Sequence, residues 1–319
     1  MKLGRALQCC TLAALVLAGG LATVSALADD WTERPYNPPV GSRWIIQRDL
    51  FTEQNDEGTI SKKTFRITSE LKITEKTPTG FRITYARRNS SYESDNTEQQ
   101  TMIRPALAAL QGVEYHASTD AAGKPLRVDN IEDVKAALRG MADSIAKGSG
   151  GPEVASVVQQ MLAPMLQVDE TSAAELYLDQ LPALALTQNT GLKLGEIRRD
   201  SISQPNPMGK LVINRALEIA EADPATGDVK YVLTESYDPA SMQAFLVQLL
   251  ERLGRTGTDV SEPEKNIKDL VMSLDERTES KVTDGMTRSM IEESTSNADL
   301  PGTKRVIKSR KVVTVTPAP

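Results

Sequence analysis

Leu71-Lys72-Ile73-Thr74-Glu75-Lys76-Thr77-Pro78-Thr79-Gly80-Phe81-Arg82-Ile83-Thr84-Tyr85 is the stretch whose reading decides the fold. Apolar side chains fall at every second position, Leu71 and Ile73 before the turn and Phe81, Ile83 and Tyr85 after it. That period puts one face of a strand in a core and the other in water. Pro78 presets φ and Gly80 takes conformations that other residues resist, so Thr77 to Gly80 is turn chemistry. The stretch reads as a β-hairpin. Its first strand extends back through Phe65 and Ile67, which alternate with Arg66 and Thr68.

The same plan recurs at Leu217-Glu218-Ile219-Ala220-Glu221-Ala222-Asp223-Pro224-Ala225-Thr226-Gly227-Asp228-Val229-Lys230-Tyr231. Upstream, Val40-Gly41-Ser42-Arg43-Trp44 has a counterpart in Leu194-Gly195-Glu196-Ile197. Hairpins resemble one another through turn chemistry alone, but this match is longer than the turn, so an internal repeat and simple hairpin likeness both stand.

Around these hairpins lie further signals. Trp44 to Phe51 reads as an opening strand, closed by a polar turn at Asn55-Asp56-Glu57-Gly58. Val113 to Ser118 and Lys124 to Val128 flank a turn at Asp120-Ala121-Ala122-Gly123. Met102 to Leu110 reads as a short helix. Asp129 with Glu132 fits a capping box, followed by the helical stripe Ile131, Val134, Leu138, Met141 and Ile145. Gly148-Ser149-Gly150-Gly151-Pro152 breaks the chain. A second helix is expected from Val154 to Met165, and a third from Ser172 to Leu181-Pro182. Asp238 and Pro239 are a good N-cap and first residue for a helix carrying Met242, Phe245, Leu246, Leu249, Leu250 and Leu253. Ser261, Pro263 and Glu264 signal another helix, to about Leu274. Arg277 to Thr283, Asp284-Gly285 and Met286 to Thr295 form a hairpin, and Lys304 to Thr316 a last strand.

These signals predict an α+β class: a mainly antiparallel, curved sheet of about ten strands from two similar halves, with four to six helices packed on one side. The halves run over 41–182 and 183–319. Residues 29–40, with Pro35, Pro38 and Pro39, read as an extended arm.

The first 28 residues set the compartment. Lys2 and Arg5 give a basic start, Leu12 to Leu17 and Leu21 to Val24 an apolar run, and Ala26-Leu27-Ala28 a cleavage site. An uncleaved anchor is the alternative, weakened by Gly19, Gly20, Thr23 and Ser25. Cleavage after Ala28 predicts a periplasmic or secreted bacterial protein with no transmembrane segment left. It also removes Cys9 and Cys10, so the mature chain has neither thiol nor disulfide. The formal charge of −6 loses two leader cations and becomes −8. An acidic chain is a poor nucleic-acid binder.

Catalytic and metal signals are scarce. With 1 His in the chain and the cysteines discarded, zinc-type sites lack their usual ligands. His116, in Tyr115-His116-Ala117, reads as a surface or structural residue, and no Gly-x-Ser-x-Gly accompanies it. Ser144-Ile145-Ala146-Lys147 matches Ser-x-x-Lys, but late in a helix and without Lys-Thr-Gly. Neither phosphate-cradling glycine motif occurs, and Lys147 to Gly151 reads as a linker. The acid pairs Asp275-Glu276 and Glu292-Glu293 read as solvated charges. Lys304, Arg305, Lys308, Arg310 and Lys311 make either an anionic-lipid patch or a charged edge strand. Met141, Met161, Met165, Met242 and Met272 either line an adaptable lipid pocket or simply pack on the sheet.

Val40-Gly41-x-x-Trp44, Leu181-Pro182 and Leu192-Lys193-Leu194-Gly195-Glu196 together resemble an uncharacterised family of exported bacterial β-rich proteins; Ile197 stands where that family has an aromatic. The architecture is distantly similar to periplasmic lipoprotein-carrier half-barrels, in which helices cover a curved sheet and shelter acyl chains. The first resemblance brings no activity. The expected function is a non-enzymatic binding or structural protein, with no catalytic, cofactor or metal residues. Its partner is either an envelope protein or a lipid or other apolar ligand, the latter held between sheet and helices. The alternative is a periplasmic hydrolase using dispersed carboxylates or serines.

Overall fold

In a computed structural model, the described residues are 33–148, 163, 166–178, 180–206, 209–255, 271–300 and 303–319. The leader of 1–28, all but Ala163 of the second expected helix and most of the one expected from Ser261 lie outside them.

The elements are β1 (Arg43–Asp56), β2 (Thr59–Thr77), β3 (Gly80–Ser94), α1 (Thr97–Ala109), β4 (Glu114–Asp120), β5 (Pro125–Val128), α2 (Ile131–Gly148), α3 (Glu170–Tyr177) and α4 (Gln180–Ala185). There follow β6 (Ile197–Asn206), β7 (Gly209–Asp223), β8 (Asp228–Tyr237), α5 (Pro239–Arg255), β9 (Val271–Thr283), β10 (Met286–Leu300) and β11 (Thr303–Pro317). All eleven strands join one sheet in the order β5-β4-β3-β2-β1-β11-β10-β9-β8-β7-β6. Every neighbouring pair is antiparallel.

This corrects the expected α+β architecture. The chain is mainly β, a single eleven-stranded antiparallel sheet, and its helices do not form a layer over one side. α3 sits on β5, α1 fastens on β3 and α5 on β7, each a local attachment. The physical reason is strand length. β2 runs 19 residues, and β1, β3, β7, β10 and β11 run 14 or 15. Backbone pairing continues past the buried core, through polar stretches such as Ser294 to Asn297 that carry no apolar alternation. Val271 to Leu274, expected as a helix end, opens β9.

Local chemistry accounts for several boundaries. The Asp238 carboxylate accepts from the Ser241 backbone N–H at 2.8 Å, and Pro239 opens α5. Asp169, not Ser172, caps α3, accepting from the Ser172 backbone N–H at 2.7 Å. The expected Asp129 box is not used. Asp129 accepts from Ser118 Oγ and Arg127, while Asn130 ties α2 to the β4 backbone at His116 and Glu114.

The larger core cluster joins β1 to β5, β10 and β11 to helices α2 to α4. Ile46, Ile73, Val128 and Leu138 are fully buried there, and the Tyr85 hydroxyl donates to Ser69 Oγ at 2.8 Å. A smaller cluster covers β7 to β9, with Leu217, Ile219, Val229, Tyr231 and Val282. We call the side of the sheet bearing these residues the core face, and the other the polar face.

The two hairpins of the sequence match share backbone detail. The Gly41 N–H donates to the Ile73 carbonyl at 2.8 Å, and the Gly195 N–H donates to the Ile219 carbonyl at 3.3 Å. The ladder of each hairpin slips by one residue at the same place, between Ile73 and Glu75 and between Ile219 and Glu221. The order strand, strand, strand, helix, strand, strand occurs twice, as β1-β2-β3-α1-β4-β5 and as β6-β7-β8-α5-β9-β10. In the sheet both sets run in the same direction, and β11 lies between β1 and β10.

The arm crosses the turns at one end of the sheet. Tyr36 packs edge-on against Phe81, ring centres 5.3 Å apart, and its backbone N–H donates to Asn189 Oδ1 at 2.7 Å. Lys76 Nζ donates to Asn37 Oδ1, and Arg34 pairs with Asp284. Two turn glycines make room for this path. A Cβ on Gly123 would stand 2.8 Å from the Tyr36 ring, and one on Gly285 would stand 2.3 Å from the Pro35 carbonyl oxygen.

Candidate functional site

Three places among the described residues bear on the expected function. The first is the space between the sheet and α4, where the lipid reading needs a cavity. It measures ≈20 Å³ and is lined by Ile46, Leu71, Ile83, Leu181, Leu184 and Gln188 among others. That is room on the scale of one water molecule, whereas small-molecule pockets hold about 300–1,000 Å³. Among the described residues this part of the core is filled. Met242 is buried in α5 and Met272 is partly buried in β9. The side chain of Met141, and the whole of Met161 and Met165, fall outside the described residues.

The second is a row of ionised side chains on the core face of β6 to β11. Asp200, Arg215, Glu235 and Glu276 stand directly opposite one another on β6, β7, β8 and β9. Arg215 grips Asp200 with two bonds, Nε to Oδ1 at 2.7 Å and Nη2 to Oδ2 at 2.9 Å. That grip lowers the Asp200 carboxyl below its ordinary range and raises Arg215. Glu276 has the opposite fate. Burial raises it first, and the Glu292 and Glu235 carboxylates add to this, so it is pushed up to about 7. A hydrogen bond links Glu235 and Glu276, while Lys311 partly offsets the shift and is itself paired with Glu292.

The third is a trough of ≈680 Å³ on the polar face of β6 to β9. Strand alternation points Ser201, Asn214, Thr234 and Ser236 into it, with the backbone of the ionised row as its floor. Arg199, Arg277, Asp275 and Glu293 give it a rim of both charges. Its named walls are hydroxyls, an amide and charges, which suits a polar ligand or an extended chain.

The sequence candidates scatter. His116 is exposed on β4, bonded to Glu114 Oε1 at 2.9 Å, with five strands between it and Glu276 on β9. Ser144 and Lys147 lie in the last turns of α2, where their side chains are outside the described residues. Alternation splits each acid pair: Glu276 and Glu292 face the core side, Asp275 and Glu293 the polar side. Only the outward member of each pair matches the solvated reading. The basic strand also splits, with Arg305 bonded to Asp56, Arg310 to Glu293 and Lys311 to Glu292. Those carboxylates answer three of the five cations, so β11 is not a bare basic patch. Among the described residues no cluster of three His, Cys, Asp or Glu could hold a metal ion. No helix there is long and apolar enough to cross a membrane.

Sequence reading missed Glu33. Its carboxylate accepts from Gly191 N at 2.6 Å, Thr190 N at 2.8 Å, Tyr231 Oη at 2.9 Å and Thr190 Oγ1 at 3.2 Å. Burial, followed by this neighbouring charge, raises the Tyr231 phenol. A lone glutamate in a proline-rich arm carries no signal of such a role.

No protein-family model matches the chain, and neither does any curated protein sequence. Among solved structures it is similar to lipovitellin, described by its lipid–protein interactions, at 10% identity and a TM-score of 0.43. That alignment covers 88% of this chain and 26% of lipovitellin, so the chain spans about a quarter of that protein. An outer membrane channel from Pseudomonas putida F1 aligns at 10% identity and TM-score 0.21, covering 90% of this chain and 99% of the channel. The translocator domain of the autotransporter NalP from Neisseria meningitidis aligns at 7% identity and TM-score 0.25, covering 95% and 97%. At these scores the likenesses carry no argument about ligand or compartment.

Proposed function

We propose that the chain is an exported, non-enzymatic binding or structural protein of the bacterial envelope, and that its binding surface is the polar side of β6 to β9. One observation carries this reading: the space beneath α4 is ≈20 Å³, while the polar trough is ≈680 Å³. The leader pattern of residues 1–28 supports export. The shared glycine contacts, bulges and element order support an internal repeat of a five-strand unit. On that reading the chain is organised as two units, with β11 joining them.

The lipid-carrier reading would require α3 and α4 to lift off the sheet. The hydrolase alternative has the raised Glu276 carboxyl in its favour, yet that side chain points to the face opposite the trough.

The test uses the mature chain from Asp29, purified from a periplasm. Native mass spectrometry is expected to show no acyl lipid at stoichiometric level, and chromogenic ester, peptide and glycoside substrates to show no turnover. A stoichiometric lipid would restore the carrier reading. Turnover that Glu276→Gln abolishes would replace binding with hydrolysis.

A further inference from the structure

The two edges of the sheet are finished differently. β5 has 4 residues, and α3 lies against it. β6 has 10 residues and, among the described residues, pairs only with β7. Ile197 to Ser201 and Ser203 are exposed along it. In the matching unit, the outer side of β1 is filled by β11, paired from Trp44–Pro317 to Asp56–Arg305. An uncovered edge offers a row of backbone donors and acceptors to any strand, and proteins blunt such edges with charge and proline. β6 carries such a guard in Arg198, Arg199 and Asp200, and among the described residues no strand covers its outer edge. A charge guard also selects, because a strand with matching charge meets it as a contact.

We propose that the free edge of β6 is a strand-addition site for an extended segment of a partner protein bearing two adjacent acidic residues. The proposal rests on reading this end of the sheet as the binding surface, and names the partner's chemistry. Asp200 is held by Arg215 on the next strand, so it leaves a surplus of positive charge along the edge. Arg198 shares the core face with Asp200, and Arg199 lies on the polar face. Two adjacent acids on an incoming strand therefore reach one arginine on each face. The chain already uses such a pairing where β11 docks on β1: Arg305 Nε meets Asp56 Oδ1 at 2.7 Å. A second copy of β6 would bring two more arginines to the same edge, so a copy of this chain is the wrong occupant. Backbone bonding would supply the affinity and the arginines the selectivity.

The probe is a fluorescein-labelled ten-residue peptide of alternating Thr and Val with a central Glu-Asp, titrated by fluorescence anisotropy into the chain from Asp29. Saturable binding is expected, weakened about tenfold or more in R198E/R199E. The same peptide with Lys-Lys should not bind. A folded control, R66E on β2, should bind as the parent does, and T234W, which fills the trough, separates the edge from the trough. Absent binding, or equal binding of the Lys-Lys peptide, overturns the proposal while leaving a trough ligand open. Loss of binding in T234W alone moves the site to the trough. A dimer in light scattering that R198E/R199E dissolves assigns the edge to a second copy and overturns the acidic partner.

Discussion

β1 to β5 and β6 to β10 share an order of elements and bury different chemistry. Two residues before the matched leucines Leu71 and Leu217, the first set has Ser69, fully buried and bonded to Tyr85. The second has Arg215, bonded to Asp200 and facing two glutamates across the strands. The first set is sealed by α2 to α4 and by β11. The second keeps a small apolar cluster, an ionised row and, among the described residues, an edge strand paired on one side alone. The difference teaches that pairing geometry fixes the sheet, while the residues on one face decide how large an apolar core a set of strands can build.

The comparison can be broken at matched positions. Ile73→Ala in the larger core should cost about 4 kcal/mol in urea unfolding, and Ile219→Ala about 2, because the smaller cluster relaxes into the space more easily. Equal costs would remove the distinction. Glu33→Ala should cost about 2 kcal/mol in the same measurement, since it strands the buried Tyr231 hydroxyl and takes the acceptor from the half-buried Thr190 and exposed Gly191 N–H groups. Tyr85→Phe, which removes one bond to Ser69, should cost about 1 kcal/mol.

Glu276 in the ionised row predicts a pH dependence that reaches neutral pH. The folded chain holds the Glu276 proton more tightly than an unfolded one, so the folded value near 7 lies above the ordinary 4.5. The resulting stability is complete below about pH 4.5 and is lost as the pH rises through 7. Allowing for solvent screening, the loss is on the order of 1 kcal/mol. Glu276→Gln should flatten that slope in unfolding curves taken at pH 5 and pH 8. The smallest expected effect is at the exposed Arg310–Glu293 pair, where Arg310→Gln should change stability by less than about 0.5 kcal/mol.

Turn and cap chemistry made much of the layout readable. Thr77 to Gly80, Asp120 to Gly123 and Asp284-Gly285 mark hairpins, and Asp238-Pro239 marks the start of α5. Strand ends were less legible, because a ladder continuing into water needs no apolar alternation: Ser296 to Leu300 extends β10 beyond the strand read from sequence. Val271 to Leu274 lay beyond a convincing cap at Ser261 and is apolar enough for either structure. The ionised row could not be read at all. Asp200 and Glu276 are 76 residues apart in sequence, and only the registers of three strand pairs bring them into line.

Hydrogen exchange at single-amide resolution, compared between β1 and β6, tests the central contrast most directly. With strands on both sides, β1 amides are expected to exchange only with global unfolding. Alternate β6 amides, those pointing away from β7, should exchange orders of magnitude faster. Equal protection along the two strands would contradict the account, since it would mean that the edge of β6 is already occupied.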